Sequence, residues 1–261
     1  MRTVLLLAAA VVVSGAPLRA QSVAQQVAAG IAARAARDPA EAVTHFQAAL
    51  AQDSMNYEAN WEAALALIDV GKATPDSVKS PARDSLYALA EVYARRAVAA
   101  NPADAEGHFA LANAVGRASL TKSKSERIRR AAEIRSEALR AIELNPRHDG
   151  AYHVLGRWNA EIMRLSGMTR FLARSFLGAG IFREASWEGA VNNMEKAVEL
   201  DPRRIYHRLD LAEVYVNRHR FADARSQLQQ IALLPVADAL DPTYKEQAAE
   251  LLRRIADRED S

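Results

Sequence analysis

One spacing of small and apolar residues, closed by a proline, recurs along this chain and constrains its fold more than any other feature. Three copies are complete: Ala90, Ala94, Ala97 and Pro102; Ile134, Ala138, Ala141 and Pro146; Ala190, Met194, Ala197 and Pro202. A fourth copy begins at Ala42, Phe46 and Ala49 and has Ser54 in place of the proline. Residues spaced by four and three share one helix face, and a proline disfavours helical geometry in the residue before it. Each copy therefore predicts a helix with a fixed end.

A second amphipathic stretch follows the predicted helix ends. Tyr152, Leu155 and Gly156 follow Pro146, and residues 205–238 form the cleanest complete unit. This alternation matches the tetratricopeptide pattern of paired helices. We therefore predict an all-α, tetratricopeptide-like helical-repeat solenoid of four to five helix pairs. Its first helix is expected at 23–37, and a helix from Asp241 to about Arg258 is expected to cap the stack.

The prolines that close the repeats are further apart than in a standard repeat, and the surplus residues lie within the pairs. We predict a loop at 71–81, a basic turn that lengthens a helix at 117–130, and an extra amphipathic helix at about 168–183. This third insert carries apolar residues at helical spacing, among them Phe171, Phe176 and Phe182. These phenylalanines either pack against the neighbouring helix pair or form an exposed apolar lip for a ligand, partner or membrane.

Residues 1–20 have the plan of a secretory signal peptide. Arg2 precedes an apolar run at 4–13, and Ala20 is a small residue at which cleavage is expected, with Ala24 as the alternative. The apolar run is shorter than the roughly 20 residues of a membrane span. We therefore expect an exported, periplasmic protein whose repeat domain is 21–261. The alternative is an uncleaved signal that anchors the chain to the inner membrane.

The formal net charge of +2 belongs to this leader. Residues 1–20 hold two arginines and no acid, and without them the chain has 32 basic and 32 acidic residues. This balance argues against a nucleic-acid partner, because phosphate neutralisation needs clustered positive charge. The basic run at 122–130 is interpreted as a solvated helix start, with docking to an acidic partner or an anionic membrane as the alternative.

No catalytic or metal-binding constellation stands out. The chain has no cysteine, which excludes disulfides, a thiol nucleophile and cysteine-ligated zinc. The nearest histidine pair, His148 and His153, is offset by five positions, so the two rings point to different helix faces. There is no GxSxG elbow, and the glycines at 178 and 180 are not followed by the third glycine of a dinucleotide loop. We expect no enzymatic activity, no metal and no cofactor.

Function is expected on the concave face, which the first helix of each pair lines. Residues one, four, five, eight or twelve positions beyond each helix start should lie there. The candidates are Trp61, Leu65, Phe109, Asn113, Arg117, His153, Arg157, Glu161, Tyr206, Leu209 and Glu213. The set mixes aromatic residues with arginine, as binding hot spots do; the alternative is that several of them pack between helices.

Three stretches resemble the regulator of microtubule dynamics family, a tetratricopeptide group with bacterial members. They are the sequence from His153 to Trp158, the phenylalanine-bearing insert with Arg170 and Phe176, and the sequence from Ala190 to Pro202. The resemblance covers roughly Tyr57 to Arg258 and implies an all-helical domain without known catalytic residues. Eukaryotic relatives associate with microtubules or organelle contact sites, and one is linked to phospholipid binding. The microtubule role does not transfer to an exported chain.

Two functional hypotheses follow. The first is a non-catalytic scaffold that binds a protein or extended peptide in its concave groove. The second is a carrier of a lipid or another apolar ligand, with the insert from Phe171 to Phe182 as the pocket wall.

Overall fold

The computed structural model describes residues 21–167, 169–170 and 180–260 and shows them as a stack of α-helices. The helices are α1 (Val23–Ala35), α2 (Pro39–Gln52), α3 (Tyr57–Lys72), α4 (Pro81–Ala100), α5 (Ala105–Ala118), α6 (Lys124–Leu144), α7 (Asp149–Arg164), α8 (Trp187–Leu200), α9 (Ile205–Asn217), α10 (Phe221–Leu233) and α11 (Asp241–Arg254). No strand occurs among the described residues. The predicted all-α class is confirmed.

The helix ends follow from local sequence chemistry. Side-chain caps accept a backbone N–H at the start of most helices, from Ser22, Asp38, Asn56, Ser80, Asp104, Ser123, His148 and Ser186. The helices that close the three proline-ended repeats stop at Asn101, Asn145 and Asp201, each of which has a ψ between 86° and 93°. These are the residues before the repeat prolines, where extended geometry is favoured.

The helices form five antiparallel pairs: α1 with α2, α3 with α4, α5 with α6, α7 with α8, and α9 with α10. Small residues on first helices let the partner helix approach. A Cβ at Gly30 would lie 2.5 Å from the Phe46 ring, and one at Gly156 would lie 3.1 Å from the backbone nitrogen of Met194. The small and large positions of the repeat thus interlock, and α11 packs on the last pair as the predicted cap. That cap helix ends at Arg254, slightly before the expected Arg258.

The inserts have different structures. Residues 73–80 form the predicted loop, which the buried Arg83 ties down by donating Nη1–H to the carbonyls of Pro75 and Val78, at 2.7 and 2.9 Å. The predicted basic turn is shorter than 117–130, because α6 already begins at Lys124. Most of the third insert, including Phe171 and Phe176, lies outside the described residues. At its end, Gly180–Arg183 is a 3-10 helix.

The stack curls, so that helices distant in sequence approach each other. The first helices of neighbouring pairs are in contact. The Lys72 ammonium on α3 lies 5.5 Å from the centre of the Tyr206 ring on α9. Near the two ends of the stack, Arg37 donates Nη1–H to the carbonyl of Val236, at 3.4 Å. The first helices thus surround a narrow inner surface. Within the described ranges, no helix is both long and apolar enough to cross a bilayer.

Candidate functional site

The groove candidates are distributed over four successive first helices. Two lie on α3 (Trp61, Leu65), three on α5 (Phe109, Asn113, Arg117), three on α7 (His153, Arg157, Glu161) and three on α9 (Tyr206, Leu209, Glu213). The structure brings part of this set into contact and uses the rest to pack between helices.

Asp210, on α9, joins two of the predicted residues on α7. His153 donates Nε2–H to Asp210 Oδ2 at 2.7 Å, and Arg157 donates Nη1–H to the same oxygen at 2.9 Å. The Asp210 side chain is 13% exposed, whereas that of Arg157 is 37% exposed. Asp210 therefore holds Arg157 through Nη1, Glu161 lies 3.5 Å from its Nη2, and the side chain stays partly exposed on the inner surface.

Burial and charge set the protonation states of this group. Burial lowers the pKa of His153 to about 3, although the hydrogen bond to Asp210 opposes the shift. Burial alone would raise the pKa of Asp210, but the Arg157 guanidinium and the His153 hydrogen bond hold it well below its usual range. Near neutral pH the group is a neutral imidazole, a carboxylate and a guanidinium. The Nε2–H tautomer of His153 is fixed by the carboxylate.

A second histidine–carboxylate pair lies beside the first. The fully buried His207 donates Nε2–H to Asp149 Oδ2 at 2.8 Å. Burial lowers the pKa of His207. Burial acts to raise the pKa of Asp149, but the His207 hydrogen bond and Arg204 outweigh it and lower that pKa to about 2. The His153 and His207 rings lie 4.8 Å apart, so these contacts lock α7 against α9 in one register.

Lys72 on α3 and Tyr206 on α9 are in contact across the inner surface. Burial, and secondarily the charge of Arg117, lower the pKa of Lys72 to about 8. Its ammonium is 3.9 Å from Asp69 and lies over the Tyr206 ring, which is also 6.2 Å from the ring of Tyr244 on α11. The cap helix therefore contributes an aromatic ring next to this surface.

The other candidates divide into packed and accessible side chains. Leu65, Phe109 and Leu209 are buried in the core clusters, and Trp61 is half-buried against one of them. Arg117 pairs with Asp76 at 3.1 Å, and Asn113 is half-buried. Glu161 is exposed and accepts a hydrogen bond from Arg164 at 2.6 Å, and Arg164 also lies 3.7 Å from Glu213. Glu161, Glu213 and Arg157 are thus the most accessible of these charged side chains, at 53%, 43% and 37% exposed.

Phe182, the phenylalanine of the apolar insert that the structure describes, is in the core. Phe182 is 1% exposed, and its ring centre lies 6.5 Å from that of Trp158. Trp158 in turn donates its indole N–H to the carbonyl of Ala131 at 2.7 Å. Phe182 therefore fixes the end of the insert against α6 and α7.

The basic run lies on the exposed start of α6 and the turn before it. Arg130 is held by Glu91 and by the Ser119 hydroxyl, whose oxygen accepts from its Nε at 2.8 Å. Lys122 and Lys124 are exposed to solvent. Arg130 at the end of the run therefore has a structural role, whereas Lys122 and Lys124 at its start are exposed side chains.

A cavity of about 560 Å³ opens at the N-terminal end of the stack. Its lining comes from α1 and from the α2–α3 turn: Val23, Ala24, Val27, Ala28, Ile31, Asp53, Asn56, Tyr57 and Glu58. We call it the N-terminal groove. Its volume lies within the range of roughly 300–1,000 Å³ that ligand pockets occupy. None of its residues is among the candidates derived from the sequence.

The sequence did contain a signal for these missed residues. The offsets that give the other groove positions, counted from Val23, give Ala24, Val27, Ala28 and Ile31. Counted from Ile205, the offset of five gives Asp210. The same helical offsets therefore identify these residues as well, but the candidate set included only four first helices and mainly their aromatic and arginine positions.

The imidazoles near the inner surface are held in fixed contacts with carboxylates. Within the described residues, no group of three or more histidines and carboxylates could hold a metal ion. The two imidazoles in the network are each committed to a carboxylate through Nε2. The groups that remain accessible are a guanidinium, carboxylates and an apolar groove.

Comparison with known proteins identifies the chain's relatives. A family model described as "Regulator of microtubule dynamics protein 1-3" matches residues 28–256. Regulator of microtubule dynamics protein 1 of Bos taurus is 25% identical over 209 residues. The match covers 79% of this chain and 64% of that relative, so the chain spans less than two thirds of its length.

The fold is shared with solved structures that include a tetratricopeptide protein. A thermophilic TPR protein of Thermus thermophilus superposes with a TM-score of 0.63 and 18% identity, covering 89% of this chain and all of that one. The pilF protein of Pseudomonas aeruginosa gives 0.51 and 14% identity, covering 89% and 91%. These likenesses concern the fold alone and confirm the tetratricopeptide-like solenoid.

Proposed function

This chain belongs to the regulator of microtubule dynamics family, and we propose that it is a non-catalytic scaffold that binds a protein or extended peptide on its inner surface. One observation carries the proposal: the Arg157 guanidinium is held by Asp210 through Nη1, and its side chain is still 37% exposed on the inner surface of a helical-repeat stack. Tetratricopeptide-like folds suit protein interaction because stacked pairs offer an extended concave face.

Preorganisation makes Arg157 suitable as an anchor. An arginine normally loses side-chain freedom when it binds a partner, at a cost of about 0.5–1.5 kcal/mol. Asp210 already restricts this side chain, and Glu161 lies 3.5 Å from its second terminal nitrogen. A carboxylate or backbone carbonyl of a partner could accept the free N–H groups. Arginine and tyrosine are the residues that hot spots favour, and Tyr206 lies beside the network.

The same proposal places the mature chain outside the cytoplasm. The support is the leader composition of residues 1–20, which precedes α1 directly. The Ser22 hydroxyl caps α1 and the Gln25 side chain completes a capping box. Cleavage after Ala24 would remove this cap, whereas cleavage after Ala20 would keep it, so we propose Ala20.

A pull-down from native cells tests the scaffold. Tagged wild-type protein and an Arg157→Ala variant are crosslinked in their own cells, and the captured proteins are compared by mass spectrometry. Arg140→Ala is the matched control, because Arg140 lies on the second helix of its pair and makes a short-range pair with Glu143. Loss of a partner with Arg157→Ala alone supports the proposal. Unchanged capture with Arg157→Ala contradicts it.

The lipid-carrier alternative has no observation that favours it. Its proposed wall at Phe171 and Phe176 lies outside the described residues, and Phe182 is in the core.

A further inference from the structure

The N-terminal groove differs from the centre of the inner surface in having an open apolar wall. The buried face of α1 consists of Val27, Gly30 and Ala33. Ala24, Ala28 and Ile31 are exposed on the groove side, and Ile31 keeps 38% of its surface in contact with solvent. At the centre, by contrast, the side chains are already paired with each other. The α1 wall of the groove therefore offers an apolar contact surface to a ligand.

The walls of the groove are fixed in place. Gln52 donates its side-chain N–H to the carbonyl of Gln21 at 3.1 Å, which ties the start of α1 to the end of α2. Asn56 caps α3 by accepting from the backbone of Ala59 at 3.0 Å, and the Tyr57 hydroxyl accepts from the backbone of Gly107 at 3.1 Å. A ligand would thus enter a preformed site and would not have to order it.

The rim of the groove carries negative charge that pairs with no cation of the described ranges. Asp53 and Glu58 line it, and neither makes an ion pair with any described residue. Asp53 uses one carboxylate oxygen to accept the backbone N–H of Met55 at 3.1 Å, and its side chain remains exposed to solvent. The nearby cation, Arg34, is committed to Glu62. An apolar floor with an acidic rim is complementary to an apolar group that has a cation beside it.

We propose that the N-terminal groove binds a peptide segment through a large aliphatic or aromatic side chain, with a neighbouring lysine or arginine on the acidic rim. The apolar side chain would contact Val27, Ala28 and Ile31, and the cation would lie near Asp53 and Glu58. This inference rests on the proposed scaffold function and names the chemistry of one segment of its partner. The segment bound at the N-terminal groove is thus distinct from the segment of the partner bound at Arg157.

Fluorescence anisotropy on the full chain tests the site with three labelled peptides of equal length. One alternates leucine with lysine, one replaces its lysines by glutamate, and one replaces its leucines by serine. We expect the leucine–lysine peptide to bind at least about tenfold more tightly than either of the others. Equal binding of the leucine–glutamate peptide overturns the proposal, and so does displacement of the leucine–lysine peptide by laurate, because either would make the groove a general apolar site.

Variants distinguish the floor from the rim. Ile31→Ser should lower the affinity for the leucine–lysine peptide about tenfold. Ala28→Lys should abolish binding of this peptide, because the new lysine repels the lysines of the peptide. The double change Asp53→Asn with Glu58→Gln should remove the preference for lysine over glutamate. Leu233→Ser is the matched control, because Leu233 is a 79% exposed leucine at the end of α10 and does not line the groove.

The outcomes separate this inference from the scaffold itself. Unchanged binding in both Ile31→Ser and Ala28→Lys overturns the groove assignment. If a cellular partner is still lost with Arg157→Ala, the scaffold stands without this site. Circular dichroism establishes that each variant remains helical; a loss of helix in Ile31→Ser leaves the decision to Ala28→Lys, whose position is exposed.

Discussion

Arg157 on α7 and Asp210 on α9 are joined by a hydrogen bond of 2.9 Å between Nη1 and Oδ2, although 53 residues separate them in sequence. The same carboxylate oxygen accepts from His153. One residue of α9 therefore fixes two residues of α7, so the contact both stabilises the stack and orients the arginine that we propose as a binding anchor.

Removing the carboxylate should destabilise the protein. Asp210→Ala leaves a buried imidazole N–H and one edge of a guanidinium without their acceptor, so we expect urea unfolding to show a loss of about 2 kcal/mol. Glu199→Ala is the control, because Glu199 pairs with Lys196 at an exposed position and such pairs contribute at most about 1 kcal/mol. Equal losses in the two variants would argue that the Asp210 network contributes little.

Stability should fall as the pH is lowered from 7 to 5. Because the pKa of His153 in the folded state is about 3, below the value near 6.5 of an unfolded chain, the unfolded state binds the extra proton in this window. One such proton changes the free energy of unfolding by up to about 1.4 kcal/mol per pH unit. His207 acts in the same direction, since burial lowers its pKa too.

The variant His153→Gln isolates one of these protons, because glutamine can still donate to Asp210 but does not titrate. Its unfolding free energy, measured at several pH values between 5 and 7, should change less steeply than that of the wild type. A His153→Gln slope equal to the wild-type slope would show that His153 is not the group that titrates.

Lys72 should cost stability at neutral pH. Its pKa in the folded state is about 8 because of burial and the nearby Arg117, so the charged form is disfavoured by folding. Between pH 8 and about 10 the unfolded state holds the proton more firmly, and stability should rise with pH across this window. Lys72→Met should be more stable than the wild type by about 2 kcal/mol at pH 7 in urea unfolding. The stability of this variant should not increase between pH 8 and about 10. A less stable Lys72→Met protein would contradict this account.

The mature N-terminus should be Gln21. Intact-mass measurement of the protein purified from its own cells would give a chain that starts there, because the next candidate cut removes the Ser22 cap of α1. Ser22→Ala should lower stability by about 1 kcal/mol. A chain that begins at Gln25, or one that retains residues 1–20, would contradict the proposed cleavage.

The sequence predicted the architecture well because the repeat is local. The spacing from Ala190 to Pro202 and its relatives marked the second helices, and the structure ends α8 at Leu200, directly before the predicted stop. Periodicity and helix-breaking residues act within one or two turns, so a single sequence records them. The family assignment rested on equally local stretches, such as the residues from His153 to Trp158.

The site was harder to predict because its contacts join distant repeats. Nothing near Arg157 in the sequence shows that Asp210 faces it, and nothing near Lys72 shows that the stack curls far enough to bring Tyr206 over its ammonium. Helical offsets identify which face a residue occupies, but the pairing across that face depends on the curvature of the whole stack. The N-terminal groove was missed for a simpler reason, since small apolar residues on α1 do not look like a binding site.

The proposed inner binding surface is tested most directly by photocrosslinking in cells. A photoreactive phenylalanine analogue at Glu161, which is exposed on α7 beside Arg157, is compared with the same analogue at Glu143, which is exposed on α6. Binding on the inner surface predicts a crosslinked adduct of defined mass from position 161 and none from position 143. An adduct from position 143 with none from position 161 would contradict the assignment of the partner to the inner surface.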